Sequence, residues 1–352
     1  MSSGWRLSSG RLHPRWVIGG GVVLTLLAFV LGSTQGAYAI APSRLLSVLW
    51  DGLLGNSTSS TEHLVFMNIR LPRLLLGLVA GAGLGLAGAL MQGMFRNPLA
   101  DPGLIGVSGG AALAAASVIV LGPMWLPQLS FTLGSWTLAV SAFTGGVVVT
   151  LLIYGLAQSS GGTRVGLMLL AGIAVNALAG AGLGFLSYVS NDEQLRNVQL
   201  WLMGSLSHAR WATVWLVGSV VALCTVAAMA LARPLNAIAL GEAQAQLLGV
   251  PVERSKRYAV LVTALAVGAV TSATGVIGFI GLVAPHWVRL LAGPDHRLVL
   301  PGSALLGASL VLVADAVART IVQPAEMPLG VLTAFIGVPL FLLMLRQFRN
   351  KL

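Results

Sequence analysis

Asp315 and Arg319 stand four residues apart near the end of an apolar run, a spacing that sets a carboxylate and a guanidinium on one helix face. The simplest chemistry of such a pair is an ion pair. A carboxylate inside a membrane can also belong to a proton relay, but no second carboxylate lies deep in any other apolar run, which argues against proton-coupled transport. Arg70 and Arg73, in Asn68-Ile-Arg70-Leu-Pro-Arg73, are three apart at the start of another run. They either snorkel to the interface or await a specific acidic partner. The five histidines (His13, His63, His208, His286 and His296) show no metal-ligand spacing, and His286 with Arg289 reads as structural. Cys224 is alone, which excludes disulfides within the chain and any cysteine-based metal site. The stretch from Gln92 to Gly110 holds Pro98, Asp101 and Pro102 and reads as a structured turn in which Asp101 can cap the next helix. Its glycines lack phosphate-loop spacing and follow no strand, so nucleotide binding is rejected there. With no nucleophile–base constellation and no paired carboxylates, the chain offers no catalytic residue, and no enzyme activity is expected of it.

The elements that carry these residues are membrane helices. Of 352 residues, 56% are hydrophobic and 9% charged, against about 25% charged in soluble domains. The formal charge of +10 would suggest nucleic acid in a soluble protein. Here the basic residues fall between apolar runs, so the orientation rule for membrane loops accounts for them and no nucleic acid is implied. Spans are expected near 16–35, 69–92, 104–122, 134–156, 165–189, 210–231, 258–274, 276–292, 300–320 and 329–346, with a turn at Thr274-Gly275. With residues 1–15 as a cytoplasmic tail, Arg44, Arg70, Arg73, Arg196, Arg210 and Arg319 fall on the outer side, leaving 14 of the 20 basic residues inside. That bias predicts cytoplasmic N- and C-termini. Ala37-Tyr38-Ala39 resembles a cleavage site, and residues 55–60 read as a flexible loop. Gly77, Gly81 and Gly85 form a ladder for close helix packing, and Gly180 with Gly184 suggests a second.

The longest charged break runs from Leu235 to Arg257. Leu240, Ala243, Leu247 and Leu248 recur at helical spacing there, with Glu242, Gln244 and Gln246 off that face. Gly249 suits a helix end and Pro251 blocks continuation. So short a helix lies on the membrane surface or docks into a soluble partner.

Several separated motifs carry a family resemblance: IRLPR at 69–73, MQGMFRNPLADPGLIGVSGGA at 91–111, LGEAQAQLLGV at 240–250, GVIGFIGLVAPHWVR at 275–289, DHRLVLPGSALLGASLVLVADAVAR at 295–319 and AEMPLG at 325–330. From about Trp16 onward the chain resembles the permease subunits of the FecCD group of bacterial ATP-binding-cassette importers for iron-siderophores, haem and cobalamin. The resemblance implies an all-α, ten-helix type II importer permease in the bacterial inner membrane. It implies a homodimer with two cytoplasmic ATPase subunits and a periplasmic substrate-binding protein, embedded in membrane lipid. No permanently bound cofactor is implied, since ATP and Mg belong to the partner ATPase. The family's coupling helices map to about 236–250, onto Leu240, Gly241, Glu242, Ala243, Leu247, Leu248 and Gly249. Its docking arginines map onto Arg70, Arg73 and Arg319. Its pore, between the fifth and tenth helices, suggests Ala171, Gly172, Asn176, Leu332, Phe335 and Ile336. Ser190–Arg196 and Trp201–Leu206 are more similar to haem-uptake members than to cobalamin ones, with siderophores between. His208-Ala209-Arg210-Trp211 departs from the small residues many relatives carry there. The rival reading is a channel or secondary transporter that works without an ATPase.

Overall fold

The computed structural model describes residues 13–36, 44, 50, 61–125, 132–322 and 325–349. The cleavage-like Ala37-Tyr38-Ala39, the 55–60 loop and most of the 1–15 tail lie outside the described residues. The helices are α1 (Pro14–Thr34), α2 (Thr61–Met94), α3 (Val107–Trp125), α4 (Gly134–Leu156), α5 (Val165–Val189), α6 (Asp192–Leu202) and α7 (Trp211–Ala230). They continue with α8 (Ala232–Ala239), α9 (Glu242–Leu247), α10 (Val252–Thr274), α11 (Ile280–Ala292), α12 (His296–Ile321) and α13 (Leu329–Arg349). A two-residue hairpin, Gln158–Ser159 with Gly162–Thr163, precedes α5. Among the described residues, eight helices are long and apolar enough to cross a bilayer, and α11 and α13 add shorter apolar segments that complete the expected ten. The turn falls at Gly275 as anticipated, where φ is +70°. α11 has 13 residues, a rise of about 20 Å, and is preceded by a non-helical stretch from Gly275 to Gly278.

α2 is the axis of the bundle. Its 34 residues widen into a π-turn over Phe66–Arg70, just before Pro72, which has no N–H to continue the α-helical ladder. The glycine ladder works as the sequence suggests: a Cβ on Gly81 or Gly85 would strike the backbone of Gly307 or Ser303 on α12. Gly88 meets Gly281 of α11 in the same way. These approaches let α10, α11 and α12 press on α2 and build the two largest apolar clusters around Leu86, Leu90 and Met91, and around Leu76, Leu84 and Val270. The second ladder does not behave so. Gly180 and Gly184 meet nothing within 4 Å, because they lie on an exposed face of α5, and Gly172 makes that helix's close contact with the Leu104 carbonyl instead.

The bundle has two ends. Pro14, the 95–106 turn, the hairpin and the 231–251 loop mark the near end, and Gln35, Arg70, the 203–210 loop and Glu326 the far end.

Candidate functional site

At the near end the loop carries two short helices, where the apolar spacing alone suggests one and the family resemblance implies coupling helices at about 236–250. α8 stops at Leu240, and Gly241 reverses the chain with φ +125°, a conformation denied to side chains bearing Cβ. α9 then runs to Leu247, and Gly249 (φ +77°) ends it as expected. The apolar face expected from Leu240, Ala243, Leu247 and Leu248 is therefore split by the turn, and all four residues are exposed, Leu247 at 88%. The inward anchor is Ala245, buried against Ile238 and Val252.

Under that loop lies Lys256, 1% exposed. Its Nζ donates to Glu242 Oε2 at 2.6 Å, to Glu253 Oε1 at 3.1 Å and to the Thr163 carbonyl at 3.0 Å. Glu253 in turn accepts from the Thr163 amide and hydroxyl at 2.8 and 2.6 Å. A buried ammonium needs such acceptors to offset lost hydration. The consequence is a three-way joint between α9, α10 and the hairpin that leads straight into α5. Sequence reasoning placed Lys256 among the inside charges and missed this joint. The i, i+3 spacing of Glu253 and Lys256 was the available signal. A second tie holds α8 to α12: Asn236 Nδ2 donates to Asp295 Oδ1 at 2.6 Å, and the His296 amide donates to Asn236 Oδ1 at 2.9 Å. Burial works against the Asp295 charge, but the Arg297 amide and the Asn236 side chain outweigh it and hold the carboxyl below its ordinary range. Asp101 caps a 3₁₀ turn through the Gly103 amide at 2.7 Å, and burial pushes its carboxyl upward.

At the far end, the arginines expected to face outward are turned inside. Arg70, Arg73 and Arg319 are 5%, 8% and 7% exposed. Arg73 grips Asp315 through Nε and Nη2 at 3.0 and 2.9 Å and both Glu326 oxygens through Nη1 at 2.9 Å. Arg319 makes the anticipated i, i+4 pair with Asp315 at 3.1 Å and donates to the Gln35 and Gly32 carbonyls at 3.0 Å each. Arg70 donates to the Ser33 carbonyl at 2.6 Å. The reason is local. α1 ends here with carbonyls that no helical N–H can satisfy; Arg70 and Arg319 fill them, while Arg73 and Arg319 share the buried Asp315 carboxylate.

The six pore candidates do not come together within one chain. Asn176 donates to the Gly103 carbonyl at 3.0 Å, Gly172 abuts Leu104, Ala171 is half-buried, and Leu332 is buried. Phe335 and Ile336 are exposed, at 73% and 51%. Asn176 and Gly172 thus pack on the segment before α3. The open apolar surface of α5 is carried instead by Ile173, Leu178, Phe185 and Tyr188. Among the described residues there is no cluster of three or more histidine, cysteine or acidic side chains able to hold a metal.

A multi-pass helical bundle with an exposed, charge-anchored loop helix at one end has the build of the membrane-embedded subunit of a transporter. Comparison with known proteins places it further. The FecCD transport family model matches residues 24–347. The hemin transport system permease protein HmuU of Yersinia pestis is 44% identical over 97% of this chain and 99% of its own length. The cobalamin import system permease protein BtuC of Halobacterium salinarum is 39% identical over 92% of this chain and 87% of its own. A solved structure described as an inward-facing conformation of a metal-chelate type ABC transporter superposes with a TM-score of 0.81 and 29% identity, covering 95% of this chain and all of the other. The chain belongs to the FecCD transport family. It is a permease subunit, and ATP hydrolysis in such systems is the work of separate ATPase subunits.

Proposed function

We propose that this permease imports an iron-containing chelate, haem first among them, by ATP-driven alternating access. The observation that carries the coupling part of this reading is the loop of α8 and α9: three leucines, Leu240, Leu247 and Leu248, stand exposed beyond the membrane spans on a loop whose second helix is fixed from below by Lys256. Such a surface suits a groove on a cytoplasmic ATPase subunit, with Gly241, Glu242, Ala243 and Gly249 shaping the helix that enters it. The near end is then cytoplasmic, with both termini, and the membrane is the bacterial inner membrane, in keeping with the basic bias of the near-end loops. A second copy of the chain would cover the exposed apolar surfaces of α5 and α13, placing Phe335 and Ile336 near a shared path while Ala171, Gly172, Asn176 and Leu332 support it from behind. Two ATPase subunits, carrying ATP and Mg, would serve the pair. A periplasmic binding protein would dock at the far end. Glu326, whose side chain is 43% exposed, is the accessible partner of Arg73, so an acidic residue of the binding protein would compete with Glu326 there, with Arg70 and Arg319 behind.

Haem is favoured by the 44% identity to the hemin permease. Cobalamin is the second reading, favoured by the relatives at 39% and 37%. The test is ATPase activity and uptake in liposomes holding the permease and its ATPase, with binding protein loaded in turn with haem, a ferric siderophore or cobalamin. Stimulation and uptake with haem are expected. Stimulation by another cargo alone would replace the substrate, and failure to form any ATPase complex would sink the importer reading.

A further inference from the structure

α4 and α7 both pack on α10 and leave between them a cavity of about 1010 Å³. Ala273 of α10 lies at its back, with Val140 and Phe143 of α4 on one wall and Leu216 and Val220 of α7 on the other. Val140 and Leu216 are half-exposed, and each continues along its helix into a bare apolar stripe, through Val148 and Leu151 on α4 and Leu223 and Val226 on α7. Helices this apolar face hydrocarbon, so the cavity opens sideways into the bilayer.

Its rim lies at headgroup depth. Trp136 and Trp201 line it, and Trp211 stacks on Trp215 with centroids 6.5 Å apart, the aromatic belt expected at a membrane interface. Arg210 also lines it. That guanidinium is exposed and makes no hydrogen bond or ion pair with any described residue. Glu326 is the acidic residue of the lining among the described residues, and Arg73 holds it at 2.9 Å. The rim's unbalanced charge is therefore the positive charge of Arg210, beside the hydroxyls of Ser205 and Ser207, which bond each other at 2.9 Å.

We propose that this cavity is a phospholipid site, with an acyl chain between α4 and α7 and the lipid phosphate on Arg210. An apolar slot open to hydrocarbon and capped by one unmatched cation fits an amphiphile with an anionic head. The inference rests on the chain's embedding in a membrane and is independent of what it transports.

The test uses the full-length permease, washed in detergent and re-exposed to phosphatidylglycerol or phosphatidylcholine, with bound lipid counted by native mass spectrometry. Wild type is expected to retain phosphatidylglycerol about fivefold better than phosphatidylcholine, the size of one interfacial cation's contribution. Arg210→Gln should erase that preference and still retain some lipid. Ala273→Trp, which fills the back of the cavity, should abolish retention of both, with elution and thermal midpoint unchanged. Equal retention of both lipids by all three proteins would overturn the proposal. So would a phosphatidylglycerol preference that survives Arg210→Gln, or undiminished lipid retention by Ala273→Trp. Neither result would touch the importer reading, which is measured through the ATPase.

Discussion

The two ends of the bundle treat charge in opposite ways. At the far end, Asp315, 1% exposed, sits between Arg73 and Arg319, and the carboxyl-terminal carbonyls of α1 accept from Arg70 and Arg319. There the charges lock three membrane helices together. At the near end a single buried cation, Lys256, holds two carboxylates that are each about a third or more exposed. Glu242 on the surface loop and Glu253 at the start of α10 keep contact with water, so these carboxylates rehydrate at modest cost when the cation is withdrawn. The far end is a clamp and the near end a hinge pin. A transporter needs both: a stiff frame where helices meet, and a joint that yields where force enters.

The sharpest way to break this comparison is to remove the shared carboxylate. Asp315→Ala leaves Arg73 and Arg319 buried beside each other, and breaking a buried pair in this way costs about 3–5 kcal/mol. A drop in thermal midpoint and in folded yield is expected, whatever the cargo. Asp315→Ala unfolding at the wild-type temperature would show the clamp to be ornamental. Reversal of Arg73 to Glu would place a carboxylate against Asp315 and misfold the chain, so it cannot report docking; Glu326→Gln, at the exposed member of the network, is the cleaner probe.

Most of the fold is legible in the sequence because hydropathy and glycine spacing act locally. Ten apolar runs, the Gly275 turn and the Gly81–Gly85 ladder all follow from residues within one helix. What was hidden depends on tertiary partners. Gly180 and Gly184 have the same spacing as the working ladder, yet nothing faces them. Arg70, Arg73 and Arg319 look like surface cations until α1 brings the Gly32, Ser33 and Gln35 carbonyls to them. Lys256 reads as one more cytoplasmic charge, because its third acceptor lies 93 residues away at Thr163. Leu240 and Leu247 carry the right periodicity for one helix, but Gly241 breaks it.

Two substitutions at the near end sharpen the distinction between the joint and the surface it supports. Lys256→Met removes the buried cation, and the half-hydrated Glu242 and Glu253 turn to water, so a loss of about 1–3 kcal/mol is expected. ATPase binding should persist while hydrolysis loses its stimulation by loaded binding protein, and Lys256→Arg should restore part of it. Leu247→Arg changes a side chain that is 88% exposed, so stability should stay within about 0.5 kcal/mol while assembly with the ATPase fails. If both variants lose assembly equally, the loop is one rigid docking surface and the joint does not exist.

The smallest effect belongs to Asp101, between the two ends in character: a half-buried carboxyl that holds only a turn. Its folded pKa is raised by burial, with the Gly103 amide opposing. A raised pKa means that its contribution to stability is complete below the ordinary carboxylate range and is lost as pH rises through the folded value. Asp101→Asn keeps the acceptor for Gly103 and removes the buried charge, so at neutral pH it should match or slightly exceed wild type in thermal midpoint, and the gap should close on acidification. Asp101→Ala loses the cap and should cost about 1 kcal/mol below the ordinary carboxylate range, with the gap to wild type narrowing as pH rises through the folded pKa of Asp101. Were Asn as damaging as Ala at neutral pH, the ionised carboxylate would be a positive contributor to the turn, and this part of the near end would share the charge-locked character of the far end.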